Sequence, residues 1–402
     1  MLKILGIFFV FCLVCIYTDL MNPAFHSSTN LENLVERLGL FGCLSIGVAF
    51  VIICGGIDLS IGSVVGLSGT LLPWLMKENM PWSDAPMPIW QAVSATVVIS
   101  ALIGLTHGLL ITLIRLQPFV VTLCGLLCYR GLSRWLTDDN IQRFSSEHKD
   151  LRQVAVGKPF LMADVALWFG SVLAGVLLLR FVLAMRPSVR GATRPLPTLI
   201  GSMAAASLAC GGYWIQHAGP FEEKGHLIAL SQLEAPMPFL IMMGLAVLAT
   251  IFLTNMTWGR YLYAIGRNEQ AARYSGIGTK KITVLAYVLC SLLAGIGGML
   301  FALENNAVEP DRQGNFYELY AIAAAVLGGC SLRGGEGIII GVLIGTAVMR
   351  VLNNCIILLD IPPQLEFAII GGVILIGVIA DEVFKMIGGA MRARFSSPSR
   401  PG

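Results

Sequence analysis

The sequence predicts an all-α, polytopic membrane protein with about 10–12 transmembrane helices, arranged as two inverted five-helix halves plus an inserted helix pair. Three observations support this class. Of the 402 residues, 56% are hydrophobic and 13% are charged, whereas soluble domains are about 45–50% apolar and about 25% charged. Apolar runs recur along the whole chain, and two similar glycine-rich interruptions lie far apart in it. This composition excludes a soluble enzyme, and a net charge of only +3 excludes a nucleic-acid binder.

A helix needs about 20 mostly apolar residues to cross the hydrocarbon core. A search on this basis gives at most twelve candidate spans. Those at 38–54, 61–75 and 317–330 are shorter than a full crossing, which predicts interrupted helices. The first segment resembles a signal peptide, but no small-x-small cleavage site follows it, so we expect a retained first span. The twelve are 1–18, 38–54, 61–75, 92–114, 119–136, 165–185, 196–216, 237–254, 282–303, 317–330, 338–356 and 366–383.

The chain divides into two halves around an insertion. Residues 1–136 form the first half, and residues 237–390 form the second half, which contains a basic loop at 259–281. Each half has five spans. Residues 137–236 comprise polar external loops and the inserted helix pair. Residues 391–402 are basic and rich in Ser and Pro, which predicts a disordered tail held near anionic lipid.

The charge distribution predicts that both termini are cytoplasmic. If all twelve segments cross, one side of the membrane receives the Arg-rich loops at 186–194 and 260–281. The other side receives the acidic runs at 138–139 and 222–223. Loops rich in Lys and Arg stay on the cytoplasmic side, so the first of these two sides is assigned to the cytoplasm.

The sequence contains no catalytic or metal-ligating constellation. Its five His residues lack H-E-x-x-H spacing, and it has no G-x-x-x-x-G-K-[ST] phosphate loop. Cys12 and Cys15 form a C-x-x-C, but they lie in an apolar run, where packing is the expected role. We therefore expect no catalytic residue, no metal and no bound cofactor in this chain.

The first motif is a helix-breaking segment, Gly55-Gly56-Ile57-Asp58-Leu59-Ser60-Ile61-Gly62-Ser63. Paired glycines with Asp and Ser at membrane depth expose backbone groups, which is tolerated only where protein or water covers them. Three roles remain open for Asp58 and Ser60: capping a helix that starts near Ile61, shaping a gate, or contacting a transported solute.

The second motif, Gly328-Gly329-Cys330-Ser331-Leu332-Arg333-Gly334-Gly335, repeats the first when the glycine pairs are aligned. We expect a short helix on each side of both motifs. Further along each half, the segments 115–119 and 360–363 contain proline and are expected to end a span. Interrupted helices at corresponding places of two repeats indicate a translocation pathway. The pathway residues predicted here are Gly55, Gly56, Asp58, Ser60, Gly328, Gly329 and Ser331.

The third motif lies in the basic loop at 259–277. Asn268 is a good N-cap, Glu269 suits a first turn, and Gly276 is a natural helix stop. The pattern predicts a short helix across the cytoplasmic face, which a solvated linker would not need. We interpret it as a docking element for a cytoplasmic partner. Its residues are Gly266, Arg267, Asn268, Glu269, Ala271, Ala272, Arg273 and Gly276.

Taken together, these segments resemble the permease subunits of the ribose/xylose/galactose class of bacterial ABC importers, in the broad family that also holds branched-chain amino-acid permeases. The matching motifs occur in family order and cover roughly 38–136 and 237–383. They are Gly55 to Gly62, Leu116 to Leu123 with Tyr129-Arg130-Gly131, Ala264 to Asn268 with Ala271-Ala272 and Ser275 to Ile277, and Gly328 to Gly335 with Leu352-Asn353-Asn354. The inserted pair at 165–216 is similar to that of the longer xylose-type permeases.

The resemblance implies a multi-pass protein of the bacterial inner membrane that imports a monosaccharide, a pentose or hexose, by alternating access. Its implied partners are a second copy of the permease, a cytoplasmic ABC ATPase that can be a fused double domain, a soluble sugar-binding protein and membrane lipid. ATP and Mg would be bound by the ATPase alone, and the docking element would be the coupling helix. Two alternatives remain: an ABC permease for a branched-chain amino acid or nucleoside, and an ion-coupled secondary transporter.

Four further positions in the matching segments have two possible roles each. Phe119 and Thr122 either pack or contact a sugar, and Asn353 and Asn354 either form interhelical hydrogen bonds or line the pathway. Arg350 departs from the family pattern, because it is a charge within the span at 338–356 and has no obvious partner. Glu366, in the following span, is one candidate.

Overall fold

The protein is built from apolar helices that run back and forth between two faces. The structure, a computed structural model, describes residues 15–78, 85–145, 148–162, 164–168, 170–171, 234–373, 375 and 379. The predicted span at 196–216, most of those at 1–18 and 165–185, and the tail at 391–402 lie outside the described residues.

The helices, in chain order, are α1 (Ser28–Ile53), α2 (Ile61–Leu75), α3 (Ile89–Leu113), α4 (Pro118–Thr137), α5 (Lys149–Val156), α6 (Met237–Asn255), α7 (Thr257–Arg267), α8 (Glu269–Tyr274), α9 (Thr279–Asn305), α10 (Tyr317–Leu327) and α11 (Ile339–Leu358). Residues 15–21 and 366–373 are also helical. The strands are β1 (Gln142–Arg143), β2 (Phe160–Leu161), β3 (Glu234–Ala235) and β4 (Ala307–Val308).

Among the described residues, 6 helices are long and apolar enough to cross a membrane. They are α1, α3, α4, α6, α9 and α11. Helices α2 and α10 are apolar but have only 15 and 11 residues, so neither spans the bilayer alone. The all-α polytopic class and the short helices expected near 61–75 and 317–330 are confirmed.

The expectation of a short span at 38–54 is wrong. Helix α1 begins at Ser28 and has 26 residues, with the Ser27 side chain accepting a hydrogen bond from the Asn30 amide. Its first turns carry polar residues that a hydropathy window rejects. These residues find partners elsewhere in the fold: Glu32 pairs with Lys158, and Arg37 pairs with Glu304 at 3.0 Å. The helix therefore extends past its apolar part.

The expected alignment of the two glycine motifs is also wrong, because a short helix does not flank each of them on both sides. The first motif follows the long α1 and precedes short α2, whereas the second follows short α10 and precedes the 20-residue α11. The order long, short, long recurs as α1, α2, α3 and as α9, α10, α11. In this register the glycine motifs occupy different connections.

The proline segments correspond in this register: each follows the end of a long helix, α3 or α11, as expected, and its proline begins the next helical segment. Pro118 is the first residue of α4, and Pro363 begins a 3₁₀ turn before the helical residues 366–373. The turns before them contain Arg115 and Asp360, both with left-handed backbone at φ 63° and 52°. Proline lacks an amide hydrogen and is therefore tolerated in the first turn of a helix.

Helix α9 lies at the centre and packs against α1, α2 and α3. On α3, Gly104 and Gly108 are one turn apart and lie against the main chain of α9 at Tyr287 and Val284. A Cβ at either position would collide with that main chain. Small residues at this spacing allow two helices to approach closely, which is a common way of packing helices in lipid.

The connections gather at two faces of the fold. The strand face comprises residues 137–145, 148–161, 234–236 and 305–311, and there β1 pairs with β4 and β2 pairs with β3. Pairing of β2 with β3 joins the two ends of the insertion. The glycine face lies opposite and comprises residues 54–60, 256–278 and 328–338.

Candidate pathway and coupling site

The first glycine motif ends α1 and leads into α2. Gly55 takes a left-handed conformation at φ 88°, which glycine adopts without strain. Asp58 is 1% exposed, and its Oδ1 accepts hydrogen bonds from the Ser60 amide at 2.9 Å and the Ser60 hydroxyl at 2.6 Å. Ser60 itself makes no side-chain bond to the helix. Asp58 therefore fixes the turn before α2 through Ser60, and its capping, gating and solute-contact roles remain predictions.

Asp58 belongs to a buried polar cluster that the sequence analysis missed. Tyr287 donates from its hydroxyl to the Ile57 carbonyl at 3.3 Å, and its ring lies edge-on to His107. The His107 Nε2 is 3.0 Å from the Tyr129 hydroxyl. Asp58 Oδ2 and His107 Nδ1 have no hydrogen-bond partner within the described part of the chain. In the sequence, the sign of this cluster is the presence of His107, Tyr129 and Tyr287 inside apolar spans.

The two short helices begin at one point inside the protein. Gly62, in the first turn of α2, lies directly against the Gly314 carbonyl and the carboxylate of Glu318, in the first turn of α10. From this point α2 runs toward the strand face and α10 toward the glycine face. Arg130 holds the connection before α10 by donating to the Gln313 carbonyl at 2.8 Å. Half-helices whose N-termini meet at membrane depth present their positive dipole ends to the interior.

The second glycine motif forms a tight loop rather than a helix cap. Gly329 is left-handed at φ 92°. Ser331 donates from its amide to the Glu336 carbonyl at 3.1 Å, and its hydroxyl accepts from the Arg333 amide at 3.3 Å. Gly328 lies against the main chain of Gly341 in α11. Ser331 therefore stabilises the loop itself, unlike Asp58.

Both glycine loops meet the end of α7 on the glycine face. The Gly335 amide donates to the Ile53 carbonyl at 2.8 Å, which joins the second loop to the end of α1. Gly266 lies against both of these main-chain atoms, with no room for a Cβ. One turn earlier, the Tyr263 hydroxyl donates to the Gly337 carbonyl at 2.8 Å. Any displacement of α7 therefore acts on the two loops together.

The short helix predicted after Asn268 is confirmed as α8. The Asn268 side chain accepts from the Ala271 amide at 2.9 Å, and Gly276 ends the segment at φ 83°. Ala272 is buried, whereas the remaining α8 residues are exposed, with Tyr274 at 90%. Helix α7 was not predicted. The buried positions Gly259, Leu262 and Ile265 show the periodicity that would have indicated it.

Four predicted site residues lie away from this junction. Phe119 is 52% exposed at the start of α4, where the Thr122 hydroxyl donates to the Pro118 carbonyl at 3.0 Å. Asn353 and Asn354 lie near the strand-face end of α11. Asn354 exchanges side-chain hydrogen bonds with Asn30 at 2.7 and 3.1 Å, so its interhelical role is confirmed. The structure does not gather these residues into one site, and a pathway role for them stays a prediction.

Arg350 lies among aromatic rings and makes no ion pair with any residue that the structure describes. Its guanidinium carbon lies 3.7 Å from the centre of the Phe41 ring and 4.8 Å from that of Tyr320. Glu366, the partner suggested by the sequence, makes no ion pair with it. Glu366 Oε1 instead accepts from the Tyr320 hydroxyl and the Asn353 amide, each at 2.6 Å.

Comparison with known proteins decides the family. The profile of the family described as "Branched-chain amino acid transport system / permease component" matches residues 30–378, nearly the whole described fold. The chain belongs to this family. It is an ABC-type permease component of the membrane rather than an enzyme, as expected from the sequence.

The permease is similar in sequence to curated transport proteins along most of its length. It is 29% identical to the xylose transport system permease protein XylH of Escherichia coli (strain K12), over 94% of this chain and 90% of that protein. It is 29% identical to the ribose import permease protein RbsC of the same strain, over 90% of this chain and 88% of that protein. The RbsC of Bacillus subtilis (strain 168) is also 29% identical, over 94% and 92% of the two chains. No solved structure matches the permease significantly.

Proposed function

We propose that this permease is the membrane-spanning subunit of an ABC importer that moves a monosaccharide, a pentose or hexose, into the cytoplasm by alternating access. The similarity to xylose and ribose permeases over most of both chains supports a sugar as the solute. A soluble sugar-binding protein delivers the solute from outside. A cytoplasmic ABC ATPase binds ATP and Mg and supplies the energy. Two copies of the permease line one pathway.

The glycine face is cytoplasmic in this proposal, and both termini lie on that side. The exposed charged side chains on this face and in the first turn of α9 are mostly basic: Arg260, Arg267, Arg273, Lys280, Lys281 and Arg333 stand against Glu269 and Glu336. Basic loops are retained on the cytoplasmic side of bacterial membranes. The ATPase and the exposed face of α8 are then on the same side of the membrane.

The observation that carries the proposal is the contact of α7 with both glycine loops. Helix α8 presents exposed polar residues for docking, and α7 connects it through Gly266 and Tyr263 to the end of α1 and to the part of the second glycine loop just before α11. Because Gly266 meets main-chain atoms directly and the Tyr263 hydroxyl bonds to a main-chain carbonyl, movement of α7 passes through these contacts as a rigid body. The ATPase would therefore move both loops when it closes.

Movement of the first loop reaches the interrupted helices. That loop carries Asp58, whose carboxylate binds Ser60 directly before α2, and α2 meets α10 at Gly62 and Glu318. Tilting of α2 against α10 would open or close the passage between the two faces. In this account the gate is formed by Gly55, Gly56, Asp58, Ser60, Gly328, Gly329 and Ser331, and the coupling element by Gly266, Arg267, Asn268, Glu269, Ala271, Ala272, Arg273 and Gly276.

The experiment is uptake into vesicles that contain the permease together with its ATPase, with the binding protein outside and ATP inside. We expect accumulation of D-xylose, D-ribose, D-glucose or D-galactose that requires both partner proteins and ATP. Uptake driven by a proton or sodium gradient in the absence of ATP would refute the proposal. Import of a branched-chain amino acid or nucleoside, with none of the sugars transported, would refute the solute class alone.

A further inference from the structure

Arg350 is a buried charge, and part of its guanidinium has no acceptor within the described part of the chain. Its side chain lies within α11, is 8% exposed, and stacks on Phe41 and Tyr320. Its Nε and Nη2 atoms have no hydrogen-bond partner among the residues that the structure describes. Taking a guanidinium out of water is costly, and ring faces compensate for the charge without accepting its N–H bonds. A charged residue kept at membrane depth is by default a candidate for contact with the transported species.

Acceptors without a hydrogen bond occur on Glu366 and Asn353, which are linked to Arg350 through Tyr320. Glu366 Oε1 accepts from both Tyr320 and Asn353, which leaves its Oε2 and the Asn353 Oδ1 without a hydrogen bond from the described residues. Tyr320 joins the two groups, since its ring lies under Arg350 and its hydroxyl binds Glu366. Asn353 and Glu366 are half-buried, so the group is reachable from their side.

The group flanks a discontinuous helix. Tyr320 belongs to the 11-residue α10, while Arg350 and Asn353 lie on the helix that follows it. Transporters commonly place their solute site at membrane depth beside such interrupted helices. The position is distinct from the contact of α7 with the two glycine loops, which lies at the opposite end of α10.

We propose that Arg350, Tyr320, Asn353 and Glu366 form a contact site for the solute along the pathway, and that it selects a neutral polyhydroxy compound. This inference rests on the proposed import function and deepens it. The site holds one cation and one carboxylate and so has no net charge, which gives neither an anionic nor a cationic solute a net attraction. A sugar hydroxyl both accepts and donates, so neighbouring hydroxyls satisfy the Arg350 donors and the Glu366 and Asn353 acceptors together.

The test compares Arg350→Met with the wild type in the vesicle assay. Methionine fills a similar volume without N–H donors. As a matched control, Thr346→Val alters a buried residue one turn earlier on α11, whose hydroxyl bonds only to the Val342 carbonyl. Uptake of the preferred sugar is measured against its monodeoxy analogues. The binding protein is the same throughout, so any change in the ratio between sugar and analogue belongs to the permease.

We expect Arg350→Met to raise the KM for the sugar and to reduce its preference over one deoxy analogue, each about tenfold, because a hydrogen bond from a charged donor is lost. ATP hydrolysis stimulated by the unloaded binding protein should stay near the wild-type rate, as in Thr346→Val. Unchanged uptake and unchanged preference would overturn the inference, because a purely structural stacked arginine can be replaced by an apolar residue with little loss.

Two gentler variants keep the test decisive if Arg350→Met does not assemble. Arg350→Lys retains the charge but not the planar fork, and Glu366→Gln retains the Oε1 acceptor for Tyr320 and Asn353. We expect both to assemble and to shift the preference in the same direction, and wild-type preference in both would contradict the site. Failure of the wild-type complex to take up any sugar with ATP would instead refute the proposed function, which separates the two conclusions.

Discussion

Replacement of Gly266 by alanine tests whether α7 transmits movement to the glycine loops. The new Cβ would meet the Ile53 carbonyl and the Gly335 amide, two main-chain atoms from different segments that cannot rotate away. Overpacking of this kind costs about 1–3 kcal/mol. Alanine recovers about 1 kcal/mol of helix propensity relative to glycine. The net cost to folding is therefore about 0–2 kcal/mol, which a membrane protein of this size tolerates.

The same change should have a larger effect on coupling than on assembly. A penalty of about 1.4 kcal/mol in the step that moves the loops lowers the transport rate about tenfold. We expect Gly266→Ala to reduce sugar uptake by about this factor, while ATP hydrolysis in the same vesicles changes less than about twofold. The measurement is the number of sugar molecules imported per ATP hydrolysed.

Gly244→Ala is the matched control, because Gly244 lies in helix α6 and a Cβ there meets nothing within 4 Å. This variant should import and hydrolyse as the wild type does. If Gly266→Ala gives the same import per ATP as Gly244→Ala, the contact of α7 with the loops does not transmit movement and the reasoning is refuted.

Three other predictions concern local features of the same junction. Asn268→Ala removes the N-cap of α8, worth about 1 kcal/mol, and should lower the sugar imported per ATP. Asn268→Asp keeps an N-cap side chain and should import as much per ATP as the wild type. Equal import per ATP in both variants would contradict the role of the cap. Asp58→Ala leaves the Ser60 amide and hydroxyl unpaired in the core, so the free energy of unfolding should fall by about 1–3 kcal/mol. Asp58→Asn keeps the accepting oxygen, so its free energy of unfolding should fall by less. Chemical denaturation of the purified permease measures the difference, and equal losses would argue against capping. Burial raises the pKa of the Cys330 thiol to about 12, and the thiolate is the form that reacts with a maleimide. In a variant with Cys330 as its sole cysteine, we therefore expect labelling at pH 7 only after denaturation. Rapid labelling of the folded protein would contradict the packing of the second loop.

The sequence was most informative where structure is set by neighbouring residues. The cap and stop of α8 follow from Asn268 and Gly276, whose side chain and backbone freedom act within a few positions. The same holds for Asp58, which binds a residue two positions away. These features were predictable because their partners are visible in the same short segment.

Features that depend on distant partners were not predictable in this way. The start of α1 is stabilised by residues such as Asn354, which lies 324 positions from Asn30. The aromatic rings around Arg350 come from α1 and α10, so no local pattern indicates them. The register of the two glycine motifs was not predictable for another reason. Both share a short sequence pattern, but the helices that flank them differ in length.

The most direct test of the coupling account is to find which surface touches the ATPase. A photo-crosslinking amino acid is placed at Gln270 or Tyr274, exposed on α8, and in a separate variant at Asn140, exposed on the strand face. In the assembled complex we expect the two α8 positions to crosslink to the ATPase subunit and Asn140 to give no such product. Crosslinking from Asn140, or none from either α8 position, would contradict the account.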